Sequence, residues 1–314
     1  MDRGFEPDRR AMEKMHTQME RFFDTQRFNS IDEMKKAVDR EFVGKPYDAT
    51  RFPPRNALEQ AQELCYQAFD TIGRRQVQLA RKALEICSDC ADAYVLMAGK
   101  TGDPKEAVEL FAKGVAAGER ALGNKAFEEG VGHFWGITST RPYMRARFGL
   151  AECLEALGRE TEAAEHYRDM LRLNPKDNQG ARYRYLPLMM KLGFDAEAAR
   201  YMKSAPDEET ANWAYTRALL AYRVGGQSTS ARTELRAAIR INPHVVPCLL
   251  AETSEEGLPA SYSLGSREEA EVCASELRNA FAATPGATEW LEAEAQRHRR
   301  DRRKQERERA KKKR

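Results

Sequence analysis

Two cysteines at Cys87-x2-Cys90 have the spacing at which a pair of thiolates shares one zinc ion or forms a reactive redox couple. A zinc site needs two more ligands at comparable spacing, and none follows. The surrounding text reads as a junction between helices, so the pair is expected to pack there as two small residues. The five histidines, His16, His133, His166, His244 and His298, include no pair four residues apart around a glutamate and no neighbouring nucleophile. Gly130-Val131-Gly132 lacks the Lys-Ser/Thr that completes a phosphate loop. Glu160, Glu162 and Glu165 fall on the solvated face of a helix, where acidic side chains serve solubility and helix pairing. No catalytic residue, metal or other cofactor is therefore expected, and the chain does not read as an enzyme.

The most unusual text runs from 130 to 145, where glycines, aromatics and cations interrupt the pattern on either side. His133, Trp135, Arg141 and Tyr143, with Arg145 beyond them, have the residue types that dominate binding energy at interfaces. The alternative is that Phe134 and Trp135 plug a groove or cap a helix while Arg141 and Arg145 extend past them to water. Both readings stand at this point.

Charge adds a second candidate. Residues 297–314 carry twelve Lys/Arg against Asp301, Glu306 and Glu308, a formal +9, whereas the whole chain carries +3 and the remainder is therefore −6. Polyanion attraction would be confined to that end, through Arg299, Arg300, Arg302, Arg303, Lys304, Lys311, Lys312 and Lys313. The absence of aromatic residues from this stretch argues against sequence-specific reading of bases.

The elements that must position these residues are helices. Hydrophobic residues make up 41% of the 314 and charged residues 32%, with a mean hydropathy of −0.72. That much polarity suits a helical array with extensive surface. Leu173-Asn174-Pro175 and Ile241-Asn242-Pro243 lie 68 residues apart, twice thirty-four. Ala163 and Ala231 stand twelve residues before the two prolines, and Tyr167 and Leu235 stand eight before them. Gly193 to Ala198 repeats the phrase Gly158 to Ala163 at a spacing of 35. Within one unit Leu150, Leu154 and Leu157 share a helix face, Gly158 ends that helix, and Ala163, Tyr167, Met170 and Leu171 define a second face before Pro175 stops it. Upstream, Asp103-Pro104-Lys105-Glu106 reads as a capped helix start with Glu106 returning a contact to the cap; downstream, Ser266 to Glu269 reads as another. About five units are expected.

This pattern resembles the tetratricopeptide repeat (TPR). Residues 144–177 carry it through Leu150, Ala151, Leu154, Gly158, Ala163, Tyr167, Leu171 and Pro175, and the third unit keeps Tyr222, Gly226, Ala231, Leu235, Ala238 and Pro243. Two further stretches, Ala83 to Glu119 and Asn242 to Leu291, are similar to the suppression-of-tumorigenicity protein family, a TPR-like group. The resemblance implies an all-α, right-handed α-α superhelix, a TPR-like solenoid with a helical N-terminal cap and a basic C-terminal tail. It divides into a cap and connector over 1–55, the repeat array over 56–292 and the tail over 293–314, helical or disordered. Met12, Met15 and Met19 form a stripe in the cap that either covers the end of the array or binds a partner.

In TPR arrays the first helix of each pair lines a concave groove. The resemblance places Arg145, Phe148 and Glu152, then Tyr183 and Lys191, then Trp213, Thr216 and Arg223 toward it. Phe148 and Glu152 occupy the slots where some members clamp a C-terminal carboxylate, so that mode is not expected. The function implied is a non-catalytic scaffold binding a protein or peptide in the groove. The alternative is a nucleic-acid- or ribosome-associated adaptor tethered by the basic tail, with weak nucleic-acid contact. Six cysteines set in helical text suit a reducing cytoplasm. No stretch approaches twenty apolar residues, so no membrane role is expected.

Overall fold

Glycines and capping residues divide the helices where the repeat spacing requires. In the computed structural model, which describes residues 9–205, 208–251, 257–259 and 261–312 with the side chains at 9, 302 and 305–312 excepted, every described element is helical. The chain divides into two compact units, 1–179 and 180–314.

The first unit contains α1 (Arg9–Thr25), α2 (Ile31–Phe42), α3 (Ala57–Phe69), α4 (Arg74–Ile86), α5 (Ala91–Ala98), α6 (Pro104–Glu129), α7 (Arg141–Ala156) and α8 (Glu160–Leu173), with two 3₁₀ turns at Phe134–Gly136 and Thr138–Thr140. Helices α3 to α8 form three consecutive pairs, and α5 and α7 each pack against both helices of the preceding pair. Three side chains set the starts. Ser30 and Asn56 cap α2 and α3 by accepting from the Glu33 and Glu59 amides. Asp103 caps α6 by accepting from the Lys105 amide at 2.9 Å, with Pro104 at the first helical position. Glu106 does not return the expected contact to this cap; it accepts from the Thr101 hydroxyl.

Two ends depend on glycine. Gly158 and Gly193 have φ of 74° and 75°, the left-handed region that an L side chain avoids, so the repeated glycines of the sequence are the turns between paired helices. Helices α6 and α7 also approach closely. A Cβ on Gly149 would lie 2.3 Å from the Phe111 ring, closer than any packing allows.

The second unit contains α9 (Arg182–Leu192), α10 (Asp195–Ser204), α11 (Ala211–Gly225), α12 (Thr229–Ile241), α13 (Val245–Leu250), α14 (Arg267–Ala282) and α15 (Ala287–Lys312). Helices α11 and α12 form its most extensive pair. Helix α14 starts at the expected Ser266 cap, but it rests on α9 and α11 as well as on α13. Glu269, on its first turn, explains that placement. Its carboxylate accepts from the Ala211 amide at the start of α11 at 2.9 Å, from Asn242 Nδ2 at the end of α12 at 2.9 Å and from the Gly265 amide at 2.7 Å. The basic tail is helical through Lys312. No helix among the described residues is long and apolar enough to cross a membrane.

Candidate protein-binding surfaces

The N-terminal helix meets the repeat pairs with its polar side. Glu13, Lys14, Thr17, Gln18 and Arg21, spaced three to four residues apart on α1, are all buried. Met15, Met19, Phe22 and Phe23 instead pack with Phe28, Val38, Phe42 and Phe52 of α2 and the connector. Burying a charge is costly unless it is paired and hydrogen-bonded, and here the pairing is extensive. Arg145 of α7 grips Glu13 through Nη1 and Nη2 at 2.8 and 2.9 Å, and grips Asp92 of α5 through Nε and Nη2 at 2.8 and 2.6 Å. Asp92 also accepts from Gln62 of α3 at 2.7 Å. Burial alone would lower the Arg145 pKa, but the Asp92 and Glu13 carboxylates carry it well above the ordinary arginine value. Farther along α1, Arg21 donates to Glu59 and Glu63 of α3 at 2.8 Å each. Helix α1 thus lies against α3 and α7, which are first helices of their pairs.

Neither reading of the N-terminal methionine stripe foresaw this arrangement, because periodicity assigns the apolar side of a helix to the repeats. Arg145, expected to face a guest peptide, is held by the chain's own carboxylates. Phe148 is half-buried, edge-on to Tyr167 with ring centroids 5.8 Å apart. In the second unit Trp213 is only 2% exposed. Arg223 is also engaged internally: it donates to the Met190 and Ala280 carbonyls at 3.0 Å each and to Thr284 Oγ1 at 2.8 Å, and it pairs with Asp195. Tyr183 is half-buried and donates to Glu208 at 2.8 Å; burial and that carboxylate push its pKa up. Lys191 is exposed. Trp213 and Thr216 are buried, which corrects their expected placement on an open groove.

The 130–145 segment is partly internal. Phe134 is buried against Phe127 and Tyr143, at 5.1 and 6.0 Å between centroids. Tyr143, expected on a surface, is 1% exposed, a second correction. Arg141 donates to the Trp135 carbonyl at 2.9 Å and sits over the Trp135 ring. His133 alone of the four candidates is exposed.

The cysteines behave as packing residues, with a different pairing from the one that spacing suggests. Cys90 Sγ lies 3.5 Å from Cys65 Sγ, in the core between α3 and α5. The hydrogen bond to Cys90 and burial push the Cys65 thiol well above its ordinary range, which disfavours the nucleophilic thiolate. No group of three His, Cys, Asp or Glu placed to hold a metal ion occurs among the described residues.

A cleft of about 800 Å³ in the second unit, between α12, α13 and α15, was only half visible in the sequence. Ile239, Val246 and Ala295 are its buried floor. Arg236 and Arg240 from α12 and Arg299 and Arg303 from α15 line it, with His244, His298 and Asp301. The tail had pointed to Arg299 and Arg303; the i, i+4 pair Arg236 and Arg240, which faces them, was the signal left unused. Of the remaining tail candidates, Arg300 and Lys304 are exposed. Lys313 and the side chains of Arg302, Lys311 and Lys312 lie outside the described residues.

Residues 145–177, spanning α7 and α8, match the family model of the tetratricopeptide repeat. That segment is similar to a tetratricopeptide repeat. The surrounding all-α pairs are TPR-like. The crystal structure of YrrB, described as a TPR protein with an unusual peptide-binding site, aligns with 67% of this chain and 92% of its own at 21% identity and a TM-score of 0.40. No curated protein matches the chain in sequence. Neither match extends to the suppression-of-tumorigenicity family.

Proposed function

We propose that this chain is a non-catalytic, cytoplasmic scaffold that binds a protein or peptide partner on the first-helix faces of its TPR-like pairs. The observation that carries this reading is α7 of the matched repeat, whose Arg145 already holds another helix of the same chain through Glu13. Such a surface accepts a helical segment by charge-assisted hydrogen bonds. In the first unit a partner would have to displace α1. In the second unit Tyr183 and Lys191 are the first-helix candidates with side chains reaching solvent.

A photo-crosslinking residue placed at Lys191 in the producing cell tests the proposal, with Glu165, exposed on the second helix α8, as the control. A discrete protein adduct from position 191 and none from 165 is the expected result. Equal labelling at both positions, or none at 191, overturns it.

The adaptor reading finds support in the exposed Arg299, Arg300, Arg303 and Lys304 on α15. Retention on immobilised RNA should then fall steeply between low and physiological salt, and disappear when these four are replaced by alanine. Salt-insensitive retention, or none, removes that reading.

A further inference from the structure

We propose that the cleft between α12, α13 and α15 is a docking site for an extended acidic protein segment that interleaves carboxylates with apolar side chains. The proposal rests on the protein-binding reading above and names a partner chemistry and a place for it.

The cleft has two layers. Ile239, Val246 and Ala295 form a buried apolar floor, with the exposed rings of Pro243 and Pro247 beside it. Above the floor stand Arg236 and Arg240 on one wall and Arg299 and Arg303 on the other, against the single carboxylate of Asp301. None of these four arginines has a hydrogen-bond or ion-pair partner among the described residues. Elsewhere in the same unit arginines are used: Arg232 and Arg297 both reach Glu294, at 3.4 and 2.6 Å. The cleft therefore collects cations that the fold itself does not employ.

The walls are held in place independently of those cations. Trp290 on α15 is buried and stacks on Tyr222 of α11 with ring centroids 4.5 Å apart, and Glu294 ties α15 to Arg232 of α12. Guanidinium groups recognise carboxylates with two parallel hydrogen bonds, and an apolar floor rewards side chains between those carboxylates. A nucleic-acid strand would place phosphates on the rim but has nothing for the floor, and no Phe, Tyr or Trp lines the cleft to make a stacking platform for bases. An acidic, partly apolar peptide satisfies both layers.

The test uses the full chain and three fluorescein-labelled probes read by anisotropy. They are an eight-residue peptide in which leucines separate pairs of acidic residues, an octamer of glutamate alone, and a twelve-nucleotide single-stranded oligouridylate. Expected are saturable binding of the mixed peptide, at least fivefold weaker binding of the glutamate octamer, and weaker binding still of the oligouridylate. The double variant Arg236→Ala/Arg240→Ala should weaken the mixed peptide at least tenfold. Replacing Lys311, Lys312 and Lys313 with alanine, eight or more residues after Arg303 in the sequence, should change it less than twofold. Circular dichroism of each variant confirms that the helices are retained.

Tighter binding of the oligouridylate with the same dependence on Arg236 and Arg240 overturns the proposal in favour of a nucleic-acid site. Absence of saturable peptide binding overturns it as well, and so does binding that follows the three lysines and ignores the two arginines. If the peptide fails while position 191 still yields its discrete adduct, the cleft falls and the scaffold reading survives. If the peptide binds as expected and position 191 yields nothing, the partner surface moves from the first-helix faces to the cleft.

Discussion

Arginines act in opposite ways in two regions of the molecule, the seat of α1 in the first unit and the cleft of the second. In the first, Arg21 and Arg145 sit among carboxylates contributed by α1, α3 and α5, and each spends its guanidinium on the chain itself. In the second, Arg236, Arg240, Arg299 and Arg303 surround a cleft with no partner among the described residues. An arginine inside a satisfied network holds a structure together, whereas one without a carboxylate is available to a ligand. Residue type and spacing do not separate the two cases; the contacts made across long stretches of chain do.

Removing Arg145 should break the comparison most severely. Arg145→Ala leaves Asp92 buried without its cation and Glu13 with only Arg141, 3.8 Å away, and loss of one partner from such a cluster costs about 3–5 kcal/mol. Urea denaturation should show that loss, and amide exchange over 9–25 should accelerate as α1 detaches. A stability change under about 1 kcal/mol would mean that α1 is held mainly by its aromatic side.

Acid should act next, and on the first unit. Burial works to raise the Glu59 pKa, but hydrogen bonds from Arg55 and the charge of Arg21 prevail and hold it below the usual 4.5. Because the folded value lies below the unfolded one, this stabilisation is complete above about pH 4.5 and is lost as pH falls through the folded value. Amide exchange in α1 and α3 should therefore quicken as pH drops from 5 toward 3, after correction for the intrinsic rate. Constant protection across that range would show that the Arg21 network carries no linkage.

The smallest effect sharpens the other side of the comparison. Arg240→Ala should shift the urea midpoint by no more than about 0.5 kcal/mol in stability, as expected for a surface residue without a structural partner. A larger loss would reveal a structural role and weaken the case that the cleft's cations are free for a guest.

The repeat was legible because its signals are local. Leu173-Asn174-Pro175 and Ile241-Asn242-Pro243 mark the ends of α8 and α12, and Gly158 and Gly193 mark turns that only a left-handed residue makes easily. The candidate sites were less legible, for a physical reason. Apolar periodicity identifies a buried face only when the burial is apolar, and α1 buries Glu13, Thr17 and Arg21 by pairing them with residues far away in the chain. Trp213 and Tyr143 were misplaced for a related reason: large aromatics on helices suit a groove and a core equally well. Half of the cleft was readable from the charge run on α15, while its α12 wall required the fold.

The pairing of Glu13 with Arg145 spans 132 residues, and that separation has a kinetic consequence. Closing so long a loop carries an entropic cost that only the finished pairs around it can offset. During synthesis α1 leaves the ribosome well before α7 does, so Glu13 waits for Arg145 even after Arg21 can pair with Glu59 and Glu63 of α3. The seat of α1 is thus completed late, although the helix itself is made before those that hold it.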